Sequence, residues 1–471
     1  MRSWPHKNTD RDLAARQAAV REAPGWGPAH EAALRFPGGP EGPGDVVRAF
    51  AGVQECLTGF VPLPVAAVPL RVDLGRYRLN EAGEPVEDGR ERCSVLVPLA
   101  HTEGGLSLSV WRGAMATWDL GGVRTHVLAD GMTRASYFEF ADTAEAIRFA
   151  RWIAAHGDDM AAWLRDPANP LAGAETPGGL RLLSRHAILR AVRTHVLGRA
   201  CHVLYRFTTG DACGPNLMTR NAHALNNHYV LARFPAETGV SVGRVVLEAN
   251  MGGDKKPSYQ YFHEGHGKTV IAEAHLDNRQ LRRFLKCSAE DVAALEQIGL
   301  HGSHASGMQS AAFTPASAIA AIFAATGQDL GMVGTSSMAH STAERVGSDG
   351  VHLSIRLSGL EVGTVGGGTG LPHAQAWLTL MGCSGPGTVY RFAQIIAAAT
   401  FCLEVSAAAS MAAQGSENFY QAHLQRGGLR NGHGAGAGGD GDEAGGAVAA
   451  LAGPEADPRG HPGAEGERPG G

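Results

Sequence analysis

Four stretches of the chain place an ionisable or unusually mobile group where it can do chemistry. In VPLAHTEGGLSLS (97–109), Glu103 stands alone among small and apolar residues. A carboxyl kept from water holds its proton more tightly, so this setting predicts a proton donor near neutrality. In NMGGDKKPSYQYFHEGHGKTV (250–270), Asp254, Lys255 and Lys256 sit between two glycines and Pro257. A lysine on a rigid turn beside a carboxylate suits the stabilisation of a developing oxyanion. Asp329, in ATGQDLGMVGTSS (325–337), follows a long apolar segment and precedes glycines. EVGTVGGGTGLP (361–372) is a glycine run that lets another group pass closely. Taken singly, each also fits a turn or an exposed ion pair.

Other motifs fail. EGHGKT (264–269) ends like a phosphate loop, but Phe262 stands where its first glycine belongs. HEGH (263–266) is one residue short of zinc-protease spacing, and no Gly-x-Ser-x-Gly elbow occurs. The 21 histidines show no ligand spacing, so no metal is expected.

The positioning elements are legible in outline. Asp142 followed by Glu145 resembles a capping box, and Ile147, Ala150 and Ile153 recur at helical spacing, predicting a helix over 143–155. A shorter helical pattern covers about 10–22. CHVLYRF (201–207) and GRVVLEA (243–249) read as strands. The stretches 317–327 and 389–413 are apolar nearly all round, which predicts buried helices. The stretch near 393–413 carries Glu404 and reads as too short for a membrane span.

The chain has 471 residues and 64 glycines, about twice the usual ~7% share, but no Gly-X-Y period, which excludes collagen. Lys and Arg total 41 against 46 acids, which argues against a nucleic-acid surface. Seven scattered cysteines with no Cys-x-x-Cys pair fit a reducing compartment. The N-terminus lacks the apolar core of a secretory signal, so the expected location is the cytoplasm. From 427 to 471 the chain is glycine-rich, acidic and without aromatics, which reads as a disordered tail.

In order, these segments resemble the 3-hydroxy-3-methylglutaryl-coenzyme A reductase family, class I type. The Glu103 segment is similar to its Thr-Glu-Gly motif, and GMTRA (131–135) supplies its substrate-side arginine, Arg134. YRFTTGDACGPNLM (205–218) resembles the cofactor signature, while GGDKKP, GQD and GTVGGGTGLP resemble the lysine loop, the aspartate motif and the glycine run. The resemblance implies an α+β fold: a large helical substrate domain (46–135 and 247–426) with an inserted ferredoxin-like NADP-binding domain (136–246), after an extension over 1–45. It implies a homodimer with active sites at the subunit interface, while the lack of a membrane span in the sequence predicts no membrane association. It also implies NADPH reducing an acyl-CoA thioester to an alcohol. Lys255 would stabilise the oxyanion, Glu103 would protonate the aldehyde, and Asp329 would tune both. Asp211, Gly214 and Asn216 would hold the dinucleotide, with Ser184 and Arg185 reading its 2′-phosphate. Arg134, Asp254 and Lys256 would bind substrate.

The departures lie on the substrate side. Glu248 stands where the family has a serine, and Ile298 and Ser317 fall near an acyl-binding lysine and asparagine. Losing a cation that pairs with the terminal carboxylate of the acyl group should cost about 2–5 kcal/mol. Arg134 and Lys256 remain to hold one. Tyr420 falls where a histidine protonates departing coenzyme A, and a phenol of pKa ~10 is a poor acid toward a thiolate whose thiol is near ~8.5. His423, three residues on, shares its helical face and is the candidate acid. Three readings follow: the reductase of this family, a relative acting on another acyl thioester, or a non-enzymatic binding member.

Overall fold

The computed structural model describes residues 9–22, 27–28, 53–54, 56–413, 419–420 and 423. The described residues belong to one unit. The glycine-rich stretch 427–471 lies outside the described residues, as does most of 1–45.

Two long strands, β1 (Val65–Leu79) and β2 (Pro85–Ala100), pair antiparallel from Val65↔Ala100 to Leu79↔Pro85. Alternate residues Val68, Leu70, Val72 and Leu74 are buried, as a half-buried strand requires. The sheet continues through β3 (Val123–Glu139), with β4 (Ile188–Leu197), β5 (Ala200–Thr208) and β6 (Val245–Val246) branching from it. It then runs on through β7 (Gly267–Asp277), β8 (Ala339–Val346) and β9 (Gly350–Leu360), in the order β2-β1-β3-β7-β9-β8.

Strand β3 belongs to two sheets. Its first half pairs with β7, from Arg124↔Glu273 to Gly131↔Gly267, and its second half pairs with β5, from Met132↔Phe207 to Glu139↔Ala200. The second sheet runs β6-β3-β5-β4. With the helices Thr143–Ala155 and Pro215–Ala224 it follows the strand–helix–strand–strand–helix–strand order of ferredoxin-like units. Two separate apolar cores result. The smaller gathers Phe138, Phe149, Trp152, Tyr205 and Phe234, while the larger surrounds the helix Val389–Ala412.

That helix has 24 residues and is long and apolar enough, by length and composition, to cross a membrane, which corrects the expectation that it is too short. Its most apolar stretch is 83% buried inside the protein, so its hydrophobicity serves the core. Small residues let neighbours come close: a Cβ at Gly113, on the helix Leu106–Trp118, would lie 2.0 Å from the Cys402 carbonyl oxygen. Buried Gln394 bonds the amide and carbonyl of Gly75 and the Thr125 hydroxyl, tying the helix to β1 and β3. Buried Glu404 accepts from the Phe313 and Thr314 amides just ahead of the helix Pro315–Thr326.

The helix over 143–155 forms as predicted, its N-cap Asp142 accepting from the Glu145 amide at 2.9 Å. The strand predicted over 243–249 is only the two residues of β6, paired with Tyr137 and Phe138, although Gly243, Arg244 and Ala249 also hydrogen-bond the β3 backbone at Glu139 and Ala135.

Candidate active site

The lysine loop leaves the smaller unit after β6 and folds back against β3. Lys255 has φ 57, a left-handed conformation that aims its side chain along a path a regular turn would not allow. Its Nζ lies 2.7 Å from Asp329 Oδ2. The Asp329 hydrogen bond and charge raise the Lys255 pKa, so the lysine remains a cation. Asp329 itself caps a short 3-10 turn, its Oδ1 accepting from the Gly331 amide at 2.9 Å. Tyr261, missed from the sequence, braces the loop beneath, its hydroxyl against the carbonyl oxygens of Gly253 and Lys256. Burial holds the phenol well above its ordinary range, so it stays protonated as a donor.

Three of the four sequence segments converge. Gln328, beside Asp329, exchanges hydrogen bonds with the backbone of Gly363, at 3.0 and 3.1 Å, and so docks the glycine run. That run in turn reaches the 209–214 loop, where the Thr364 amide donates to the Asp211 carbonyl at 2.8 Å. A Cβ at Gly363 would lie 2.7 Å from the Cys213 amide, which is the close passage the glycines permit. The lysine–aspartate pair and the Asp211–Gly214 loop are thereby parts of one bonded assembly.

Gly214 opens the helix Pro215–Ala224 with φ 106, and a Cβ there would strike the Thr209 side chain at 2.2 Å. No side chain caps this helix start, and Asn216 is exposed in its first turn. Asn221, buried in the same helix, bonds the backbone of Ser184 and Ala187 at 2.8 and 2.9 Å. It therefore fastens the Ser184–Arg185 turn to the helix. Arg185 is exposed, and Ser184 Oγ accepts from the His186 amide. Nothing in the sequence pattern distinguished Asn221 from a surface asparagine.

The other expected site residues sit in surroundings that the pattern did not reveal. Asp211 was expected to hold a dinucleotide, but its carboxylate accepts from the Gly387 and Val389 amides, at 2.8 and 3.2 Å. Its charge caps the long central helix and thereby also positions the loop. Glu103 was expected to be desolvated, yet it is exposed, because Leu106 and Val110 are the residues of that segment that turn into the core. Arg134 was expected to remain available to a carboxylate. It is only 7% exposed, with one amino group 2.5 Å from Glu248 and the other 3.1 Å from Asp254. The chain's own carboxylates already occupy it. Lys256 is exposed and donates to the Asp254 carbonyl at 3.0 Å. His423 is exposed, with its Nδ1 2.8 Å from the Phe419 carbonyl on its own turn.

A family described as hydroxymethylglutaryl-coenzyme A reductase matches residues 16–427. The 3-hydroxy-3-methylglutaryl-coenzyme A reductase of Aeropyrum pernix is 33% identical over 394 residues, 82% of this chain and 86% of that protein. The Haloferax volcanii enzyme of the same name is 33% identical over 380 residues, 79% of this chain and 84% of its own length. Among solved structures, a Streptococcus pneumoniae 3-hydroxy-3-methylglutaryl-coenzyme A reductase shares the fold at TM-score 0.54 and 16% identity, covering 85% of this chain and 96% of its own. A class II reductase of that organism, solved bound to NADPH, aligns at TM-score 0.53.

Proposed function

The chain belongs to the hydroxymethylglutaryl-coenzyme A reductase family, and from that premise we propose that it reduces an acyl-CoA thioester to an alcohol with NADPH, converting HMG-CoA to mevalonate and coenzyme A. The observation that carries this reading is the 2.7 Å Lys255–Asp329 pair on its strained turn, bonded through Gln328 and Gly363 to the Gly214 loop. The uncapped helix start at Gly214, with exposed Asn216 and Arg185 fastened alongside by Asn221, fits a dinucleotide. Backbone amides there favour an anion, and the arginine fork suits a 2′-phosphate. When bound, NADPH supplies hydride, and a four-electron reduction takes two of them in succession.

Lys255 stabilises the oxyanion that forms as the thioester carbonyl becomes tetrahedral, and Asp329 keeps it charged and aimed. Glu103 protonates the aldehyde oxygen, and His423 protonates the departing thiolate. Glu103 precedes a helix whose exposed side carries Leu108 and Trp111, 70% and 43% exposed. Their apolar surface supports a homodimer that would desolvate Glu103. Seven free cysteines fit a cytoplasmic location.

The occupation of Arg134 by Glu248 favours a second reading, in which the acyl group carries no terminal carboxylate. Exposed, apolar Ile298 adds no cation. NADPH oxidation with HMG-CoA and with uncharged acyl-CoAs decides between the two. Oxidation with neither, together with no NADPH binding, rejects both.

A further inference from the structure

Beneath the lysine loop, three ligand-type atoms converge. They are Asp254 Oδ1, His266 Nε2 and Glu361 Oε2, all within 4.8 Å of one another, with His266 Nε2 3.5 Å from Glu361 Oε2. The His266 and Glu361 side chains are fully buried, and each of the three atoms lacks a hydrogen-bond partner among the described residues. Unpaired buried polar atoms are costly, and three facing one another are more so.

The remaining atoms of the three groups are already held. Asp254 Oδ2 is bound to Arg134 at 3.1 Å, and Glu361 Oε1 lies against the Thr335 hydroxyl, which also reaches the Met332 carbonyl at 2.9 Å. His266 Nδ1 lies 2.7 Å from Thr133 Oγ1, and the ring stacks on Tyr261. Thr133 Oγ1 is also 2.7 Å from the Gly252 carbonyl, and when its single proton is donated there Nδ1 donates to Thr133. The Thr133 amide, 3.4 Å from Nδ1, makes a longer and weaker contact. Nε2 faces two carboxylate oxygens in either neutral tautomer, as a lone pair when Nδ1 donates to Thr133 and as an N–H when Nδ1 accepts from the Thr133 amide. The nearby cations are engaged elsewhere: Lys255 with Asp329, and Arg134 with Glu248 and the other Asp254 oxygen. A positive charge belongs between these three atoms.

We propose that Asp254, His266 and Glu361 bind a divalent transition-metal ion of the zinc or manganese class. One imidazole and two carboxylates suit such ions. The 3.5 Å separation is near the ~3.4 Å edge expected for two ligands about 2.1 Å from a tetrahedral ion. Thr133, Thr335 and Arg134 form the outer shell that orients the ligands. The ion fixes Asp254, and with it the turn that carries Lys255. It is a structural ion, and the proposal does not depend on the substrate. Asp254 and His266 come from one stretch and Glu361 from a distant one, a combination that matches no metal-ligand spacing motif.

The test uses the full chain, stripped with chelator and dialysed against Zn²⁺ or Mn²⁺, with metal content and melting temperature as readouts. One equivalent per chain and a raised melting temperature are expected. His266→Gln and Glu361→Gln should lose both effects, and Thr133→Val should bind about 10–100-fold more weakly. The visible spectrum of the Co²⁺-loaded wild-type chain reports coordination should a variant fail to fold. Uptake unchanged in His266→Gln overturns the proposal. So does the absence of uptake by folded wild-type chain, which would assign the positive charge to a proton on His266.

Discussion

In the proposed mechanism, two side chains govern chemistry and selectivity. Lys255 faces the developing charge, so Lys255→Met should lower kcat by about 10²–10³-fold while leaving the Kd for NADPH unchanged. Steady-state kinetics with a separate cofactor titration check this. Glu248 acts through Arg134. Replacing it by serine removes one of two carboxylates from an arginine that is 7% exposed and gives that arginine a free valence. Glu248→Ser should lower the KM for HMG-CoA about tenfold or more and leave the KM for an uncharged acyl-CoA nearly unchanged. Charge pairs of this burial differ by several kcal/mol according to whether both partners are present. Equal changes for both substrates would show that Glu248 does not set acyl selectivity.

At the scale of elements, the helix Pro215–Ala224 and the turn it anchors act together. Arg185 is exposed on that turn, so Arg185→Ala should weaken NADPH about 10–100-fold and leave NADH almost unaffected, as paired titrations would measure. The sheet carries its own pH-sensitive clasp. Glu273 on β7 accepts from His126 on β3 at 3.1 Å and from His352 on β9 at 3.0 Å. Burial alone would raise its pKa, but the hydrogen bonds and charges of the two histidines more than offset that and hold it below the usual range. A depressed carboxylate contributes stability above its unfolded value of ~4.3 and loses it as pH falls through the folded value. The melting-temperature gap between wild type and Glu273→Gln should therefore close on acidification below about pH 4.

The whole molecule is organised by close contact around the helix Val389–Ala412. Its alanines and serines admit the helix Leu106–Trp118 so closely that Gly113 touches the Cys402 carbonyl. Backbone on both sides leaves little room for adjustment. Gly113→Ala should cost about 1–3 kcal/mol, seen as a lower urea midpoint with unchanged slope. The same helix receives the Asp211 carboxylate at its N-terminus, so the core and the 209–214 loop share a boundary. Core substitutions on this helix are therefore felt at the candidate dinucleotide site.

The helices at 143–155, 315–326 and 389–412 were legible because apolar spacing and capping are local properties that a chain carries wherever it folds. Lys255, Asp329 and the glycine run were legible for a similar reason: each is a charged or flexible residue set among neighbours that constrain it. Partnership between distant residues was not legible. That Glu248 neutralises Arg134, that Asp211 caps a helix nearly two hundred residues away, and that Asn221 fastens the Ser184 turn depend on which segments meet. The exposure of Glu103 was also decided only when Leu106 and Val110 took the core-facing positions. Sequence alone determined the elements and the residue types of the site, because these follow from local pattern. Tertiary structure decided which charges are already satisfied, because satisfaction is a property of pairs brought together by the fold.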